Sequence, residues 1–240
     1  MIRFLVIVFL LIIFFTVSIP VFLIEWILGK CNMNLRHRSS RLIVAGAFRV
    51  CLFVSGVKIQ VKGKENIPEE ACLFVGNHNG FFDILVSYVT IGKVMGFVAK
   101  KEIKKVPFLN VWMYYVNCLF LDRENIREGL KTILQGVDYI KSGISVFIFP
   151  EGTRSKDGKM LPFKEGSLKM GEKAGCPIVP VAMTGTAALF EDQFPKIRPG
   201  TVTIEFGTPI IPSELPKEDK KFLGAYTQKK IQAMLDAREK

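Results

Sequence analysis

Histidine is almost absent from this 240-residue chain: only His37 and His78 occur. A histidine-built metal site is therefore nearly excluded, and imidazole catalysis has two candidates. Cysteine is sparse as well. Cys31, Cys51, Cys72, Cys118 and Cys176 form no C-x-x-C pair, so neither a zinc pattern nor a disulfide framework emerges. Buried free thiols in a reducing compartment is the plain reading. Acid is the minority charge, 22 residues against 33 basic ones, which leaves a formal +11. Internal repeats are lacking, and one N-terminal apolar run is the sole low-complexity segment. What is plentiful is phenylalanine, 20 residues in a chain that is 49% hydrophobic, and this rules out disorder as the main state. The length suits one domain with an appendage. A basic, Phe-rich chain fits an anionic and apolar partner, which favours a phospholipid surface over nucleic acid.

Between Arg3 and Glu25 lie 21 uncharged residues, positions 4–24. As a helix they would reach roughly 30 Å, the thickness of a bilayer's hydrocarbon core. The apolar stretch exceeds the usual core of a cleaved signal peptide and continues to Leu28 apart from Glu25. A second apolar segment, Leu42 to Val57, is 16 residues long and holds Arg49. The linker from Lys30 to Arg41 is basic, with no acid, and reads as a turn with His37 at headgroup level. Residues 1–57 are thus expected to form a two-helix membrane hairpin sunk into one leaflet. A single span is the competitor, and both readings put the remainder on the cytoplasmic face of the cell membrane.

Residues 58–240 read as a separate α/β domain. Short apolar runs at 57–61, 71–75, 96–99, 118–121, 145–149, 178–183 and 202–206 read as strands. Helical patterns fill 81–91, 106–115, 126–141 and 166–174, and a charged helix over 217–238 breaks near Gly224. Strands alternating with helices imply a mostly parallel central sheet covered by helices.

Chemistry-bearing residues collect where strands end. Asn77-His78-Asn79-Gly80-Phe81-Phe82-Asp83 follows a buried strand and opens a helix. His78 and Asp83 would lie about 140° apart on one regular helix. They can meet if His78 sits on the turn, with Gly80 easing its conformation, and Asp83 on the first helical turn. A carboxylate accepting from one imidazole nitrogen leaves the other as a base. With no Ser, Thr or Cys between them, direct deprotonation of a substrate hydroxyl is one route; an acyl-enzyme route would need a distant nucleophile. Phe149-Pro150-Glu151-Gly152-Thr153-Arg154-Ser155 follows another buried strand and offers phosphate donors. A polar turn at Lys156-Asp157-Gly158 comes next. Leu119-Phe120-Leu121-Asp122-Arg123 ends in what reads as a surface Asp–Arg pair, and Lys100-Lys101 as a solvated basic face.

Taken together these blocks resemble the glycerolipid acyltransferases. His78 with Asp83 looks like that family's H-x-x-x-x-D motif, and 119–123 like its second block. Residues 149–155 match its third block, with Phe163-Lys164 and Gly166 as the usual sequel. Cys176-Pro177-Ile178-Val179-Pro180-Val181 looks like the fourth block. The bacterial 1-acyl-glycerol-3-phosphate acyltransferases are the most similar in size and in their N-terminal helices. Asn79, Gly80 and Asn117 depart from the family's common residues on the acceptor side. The resemblance implies acyl transfer from acyl-CoA or acyl-carrier protein to the 2-hydroxyl of lysophosphatidic acid. It implies His78 as general base and Asp83 as its orienting partner. Lys100, Arg123, Glu151, Gly152, Thr153, Arg154 and Pro180 become the substrate-binding candidates. No metal or other cofactor is expected, because a thioester is already activated. A sister enzyme acting on another lysolipid or on glycerol 3-phosphate is the alternative, and a non-catalytic anionic-lipid binder the more distant one.

Overall fold

The structure is a computed structural model that describes residues 1–155 and 158–238. Lys156 and Asp157, in the expected turn at 156–158, lie outside the described residues. Helices α1 (Ile2–Cys31) and α2 (Met33–Ser55) form the hairpin. Their junction is a single residue. Asn32 is extended, and its side chain accepts from Leu35 N at 3.0 Å, capping α2. The expected basic linker over 30–41 is therefore mostly helix, and α2 has 23 residues rather than 16. Glu25 explains how the polar start of α2 packs on an apolar helix. Its buried carboxylate accepts from Ser39 Oγ and Ser40 Oγ, each at 2.5 Å. His37, expected at headgroup level, is instead buried beside Asn117.

The domain begins after Gly56, whose φ of 72° ends α2 in the left-handed conformation. Seven strands follow: β1 (Val57–Lys62), β2 (Leu73–Gly76), β3 (Met95–Lys100), β4 (Leu119–Leu121), β5 (Ser145–Ile148), β6 (Ile178–Thr184) and β7 (Gly200–Phe206). They make one sheet in the order β1-β7-β6-β2-β5-β3-β4, parallel at every step except β6–β7. The helices are α3 (Phe82–Ile91), α4 (Leu109–Tyr115), α5 (Ile126–Lys141), α6 (Lys169–Ala174), α7 (Lys217–Lys221) and α8 (Leu223–Asp236).

Strand side chains alternate between faces, so each continuous apolar run supplies two cores. Phe74 and Phe147 face one way, with α3, Trp112 of α4 and Val44, Ala45 and Leu52 of α2. Leu73, Val75, Val146 and Ile148 face the other, against residues of α5, α6 and α8. The C-terminal break falls at Phe222, two residues before Gly224. Glu165 fixes it, because its carboxylate accepts from Gly224 N and Ala225 N at 2.7 and 2.9 Å and satisfies the open amides of α8.

This topology decides where the motifs go. β2 is parallel to β5 and β6, and β5 to β3 and β3 to β4, so the carboxyl ends of all five emerge at one edge. The turns after β2, β4, β5 and β6 are neighbours there, although over 100 residues of sequence separate the first from the last.

Candidate active site

The turn after β2 is fastened at Asn77, one residue ahead of His78. Asn77 Nδ2 donates to the carbonyl of Met183 at 2.9 Å, and Asn77 Oδ1 accepts from Met183 N at 2.8 Å. That pair extends the β2–β6 ladder by one side chain and aims the next residue outward. Asp83, on the first turn of α3, is fully buried. Its Oδ2 accepts from Asn79 N at 2.6 Å and Gly80 N at 2.8 Å, and lies 2.9 Å from His78 Nδ1. Two backbone amides thus hold the carboxylate that orients the imidazole. Bonding through Nδ1–H leaves the Nε2 lone pair available as a base. The His78 side chain remains 17% exposed, enough for a substrate hydroxyl to reach it. Phe149 stacks on the other ring face, with centroids 4.1 Å apart.

Glu151 belongs to the turn after β5 by sequence and to the His78 turn by bonding. Oε1 accepts from His78 N and Oε2 from Leu161 N, both at 2.7 Å. Burial pushes its carboxyl pKa up, and those two amides pull it partway back. With both oxygens engaged by backbone, Glu151 braces the turn that carries His78. Ser155 N donates to the carbonyl of His78 at 2.9 Å and closes the same brace.

The remaining motif residues supply cations. Gly152 has φ 75°, a conformation that side chains rarely adopt. A Cβ there would stand 3.1 Å from Lys164 Nζ and 3.6 Å from Arg123 Nη1, so both cations converge on this one bare residue. Arg123 donates to the Gly152 carbonyl. It makes no pair with Asp122, contrary to the expectation from sequence. Asp122 bonds Lys101 at 3.0 Å and accepts from Glu124 N and Asn125 N, because a strand-end carboxylate is better placed to close the turn that follows. Arg154 lies with its guanidinium 4.2 Å above the Phe81 ring and pairs with Glu191 at 3.1 Å. Thr153 is exposed. Lys100, at the end of β3, faces solvent beside Glu102 at 3.6 Å. Pro180 is buried within β6 opposite Val75 and is not among the groups that meet at His78. Among the described residues, no three His, Cys, Asp or Glu side chains are grouped to hold a metal ion. Burial pushes the Cys72 thiol up to about 12 and those of Cys118 and Cys176 to about 11, so none of the three is a ready nucleophile.

The family model for Acyltransferase matches residues 58–184, from β1 to the end of β6, which carries every group just described except Glu191. The chain belongs to the Acyltransferase family. Similar members include the 1-acyl-sn-glycerol-3-phosphate acyltransferase of Borreliella burgdorferi, 32% identical over 64% of this chain and 62% of its own. A probable enzyme of that name from Mycoplasma pneumoniae is 30% identical over 71% of this chain and 68% of its own. The Saccharomyces cerevisiae protein is 29% identical over 86% and 68%. This chain thus spans somewhat under to just over two thirds of these relatives. The crystal structure of the 1-acyl-sn-glycerophosphate (LPA) acyltransferase PlsC from Thermotoga maritima superposes with a TM-score of 0.72, covering 92% of this chain and 96% of that one at 24% identity; it shares the fold.

Three contributors to this site went unread as site residues in the sequence. Lys164 stood only as part of a motif's sequel. Phe149 read as the end of a buried strand, although an aromatic next to a phosphate-type turn is a usable signal. Glu191 gave no signal at all.

Proposed function

We propose that this chain moves an acyl group from a thioester, acyl-CoA or acyl-carrier protein, to the 2-hydroxyl of lysophosphatidic acid, giving phosphatidic acid in phospholipid biosynthesis. The observation that carries the proposal is the His78–Asp83 dyad set at the same sheet edge as Arg123, Arg154 and Lys164. A base alone would fit many hydroxyl acceptors. A base beside three cations fits one whose hydroxyl lies a short distance from a phosphate. His78 Nε2 takes the proton as the hydroxyl oxygen attacks the thioester carbonyl, while Asp83 stabilises the imidazolium that forms. The tetrahedral intermediate collapses to the ester, and the departing thiolate recovers the proton from His78. Thioester activation makes a metal or redox cofactor unnecessary. The names of the relatives from Borreliella burgdorferi and Saccharomyces cerevisiae support the choice of acceptor.

The setting of the reaction is a membrane surface. α1 is long and apolar enough to cross a bilayer, and it exposes Leu5, Phe9, Ile12, Val17 and Leu23. Its other side, however, is stitched to the domain along its length. Phe4 stacks with Phe190, Phe14 with Trp112, and Phe22 with Phe108, while Trp112 Nε1 donates to Ser18 Oγ at 2.8 Å. From Phe4 to Phe22 is about 27 Å of helix, so a crossing α1 would draw the domain into hydrocarbon with it. That favours α1 lying in one leaflet, the cytoplasmic one, with the basic surface on anionic headgroups. α2, at 23 residues, is long enough to span, but its Val44, Ala45 and Leu52 are buried in the domain's core, which favours its lying outside the hydrocarbon. The test is mass spectrometry of products from purified protein given mixed lysolipids and mixed-length acyl-CoA and acyl-carrier-protein donors. Phosphatidic acid as the main product supports the proposal, and preference for another acceptor overturns the assignment of the head group.

A further inference from the structure

Glu191 has no place in the reaction as written, yet it touches both halves of the site. It lies in the short turn Glu191–Gln193, on the segment that follows β6. Oε1 accepts from Phe81 N at 2.7 Å and from Arg154 Nη1 at 3.1 Å, with the side chain only 19% exposed. One carboxylate oxygen therefore bridges the turn that carries the base and a cation from the turn after β5. Arg154 is clamped in two ways, by the carboxylate from one direction and by the Phe81 ring from another.

Gly80 supplies an independent observation. Its φ lies outside the left-handed region, so the backbone of the turn does not demand glycine, contrary to the expectation that it eases the bend. Space demands it. A Cβ at position 80 would stand 2.5 Å from Glu191 Oε2 and 2.9 Å from its carboxyl carbon, closer than such atoms approach. Gly80 is bare where Glu191 arrives.

We propose that Glu191 is the positioning residue that fixes Arg154 relative to His78, and that Gly80 is glycine in order to admit it. The distance between a phosphate-binding cation and the base decides which hydroxyl of a phosphorylated acceptor is presented to Nε2. Glu191 is accordingly a determinant of acceptor binding and orientation. It does not touch the reacting atoms. This inference rests on the proposed role of Arg154 in binding the acceptor phosphate.

The test is steady-state kinetics of the full chain in mixed micelles, with lysophosphatidic acid and a long-chain acyl-CoA varied separately. Glu191→Ala should raise the acceptor KM about tenfold with the donor KM unchanged. Glu191→Gln keeps an oxygen for Phe81 N and Arg154, and should recover most of that loss. Gly80→Ala should raise the acceptor KM by a similar factor in the wild-type background, yet by less than about twofold on top of Glu191→Ala, since the added methyl then has room. Full multiplication of the two effects, or a Gln variant no better than Ala, would overturn the proposal. Should Glu191→Ala fail to fold, Gly80→Ala and Glu191→Gln decide alone, and a wild-type acceptor KM in Gly80→Ala counts against it. Arg154→Ala separates the two levels. An effect on acceptor KM there but none in Glu191→Ala sinks this inference only, whereas an effect on donor KM sinks the reading of Arg154 itself.

Discussion

The turns after β2 and β5 leave adjacent parallel strands at one edge, yet they are built on opposite terms. In the first, the polar groups bond one another closely: Asn77 to Met183, Asp83 through its Oδ2 to two amides and the imidazole, and Glu151 behind His78 N. In the second, Gly152 holds its backbone open, Thr153 is exposed, and each arginine has a single hydrogen-bonded tether, Arg123 on one carbonyl and Arg154 on one carboxylate, with the Phe81 ring beneath Arg154 as well. The difference teaches how labour divides in the site. A base must be fixed in tautomer and direction before substrate comes. Cations that meet a phosphate gain by keeping unused donors. Substitutions in the first turn should therefore act all-or-none, and those in the second by degrees.

The largest expected effect breaks the comparison most directly. His78→Ala should lower kcat by ~10²–10⁴-fold while the protein stays folded. Asp83→Asn should be nearly as harmful, because it weakens the acceptor that orients the ring. Measured kcat with an unchanged circular dichroism spectrum is the check, and near-normal turnover in His78→Ala would remove the mechanism. Glu151→Ala should come next. It strips the acceptor from two part-buried amides, His78 N and Leu161 N, and up to about 1–3 kcal/mol of stability is expected to go with the pair. If Glu151 behaves as a brace, the loss appears in both kcat and thermal midpoint. A rise in acceptor KM with the midpoint unmoved would mean that it meets substrate instead, and would move it from the closed turn to the open one.

Arg123→Ala and Arg154→Ala probe the graded side. Each should raise the acceptor KM by roughly tenfold and the donor KM little, as expected when one of several cations is removed. Lysine at either position should restore only part, because the bidentate fork is gone. An effect confined to the donor KM would show the site assigned backwards.

Much of this comparison was legible in the sequence, for a physical reason. Parallel strands buried on both faces must be continuous apolar runs, so Ala71–Val75 and Ser145–Phe149 announced themselves, and the motifs just beyond them were bound to share an edge. Ile126–Lys141 matches α5 to the residue because Asn125 caps it with bonds to Arg127 N and Glu128 N. Reading failed where the deciding partner is remote. Arg36-His37-Arg38-Ser39-Ser40-Arg41 looks like a solvated linker until Glu25, 14 and 15 residues back, receives the two serines. Glu191 lies 110 residues from Phe81 and 37 from Arg154, and no local pattern joins them. Gly80 was noticed as a glycine, but the reason for it sits on another segment.

The smallest expected effect sharpens where the open side ends. Lys100 shares the edge, and the resemblance to glycerolipid acyltransferases would count it among the substrate contacts. Its surroundings argue for a lesser part. The side chain is 58% exposed, and its partner Glu102, at 3.6 Å, is 43% exposed. Exposed pairs of this kind contribute about 0–1 kcal/mol, and salt screens them within a Debye length of roughly 8 Å at physiological strength. Lys100→Ala should therefore change the acceptor KM by less than about fivefold at physiological salt. The change should grow as salt is lowered, because what Lys100 supplies from there is long-range attraction for an anionic lipid. Arg154→Ala, a contact at short range, should depend much less on salt. Measuring both variants across a salt series places the boundary: parallel curves would bring Lys100 into contact with the phosphate, and diverging curves would leave it on the approach.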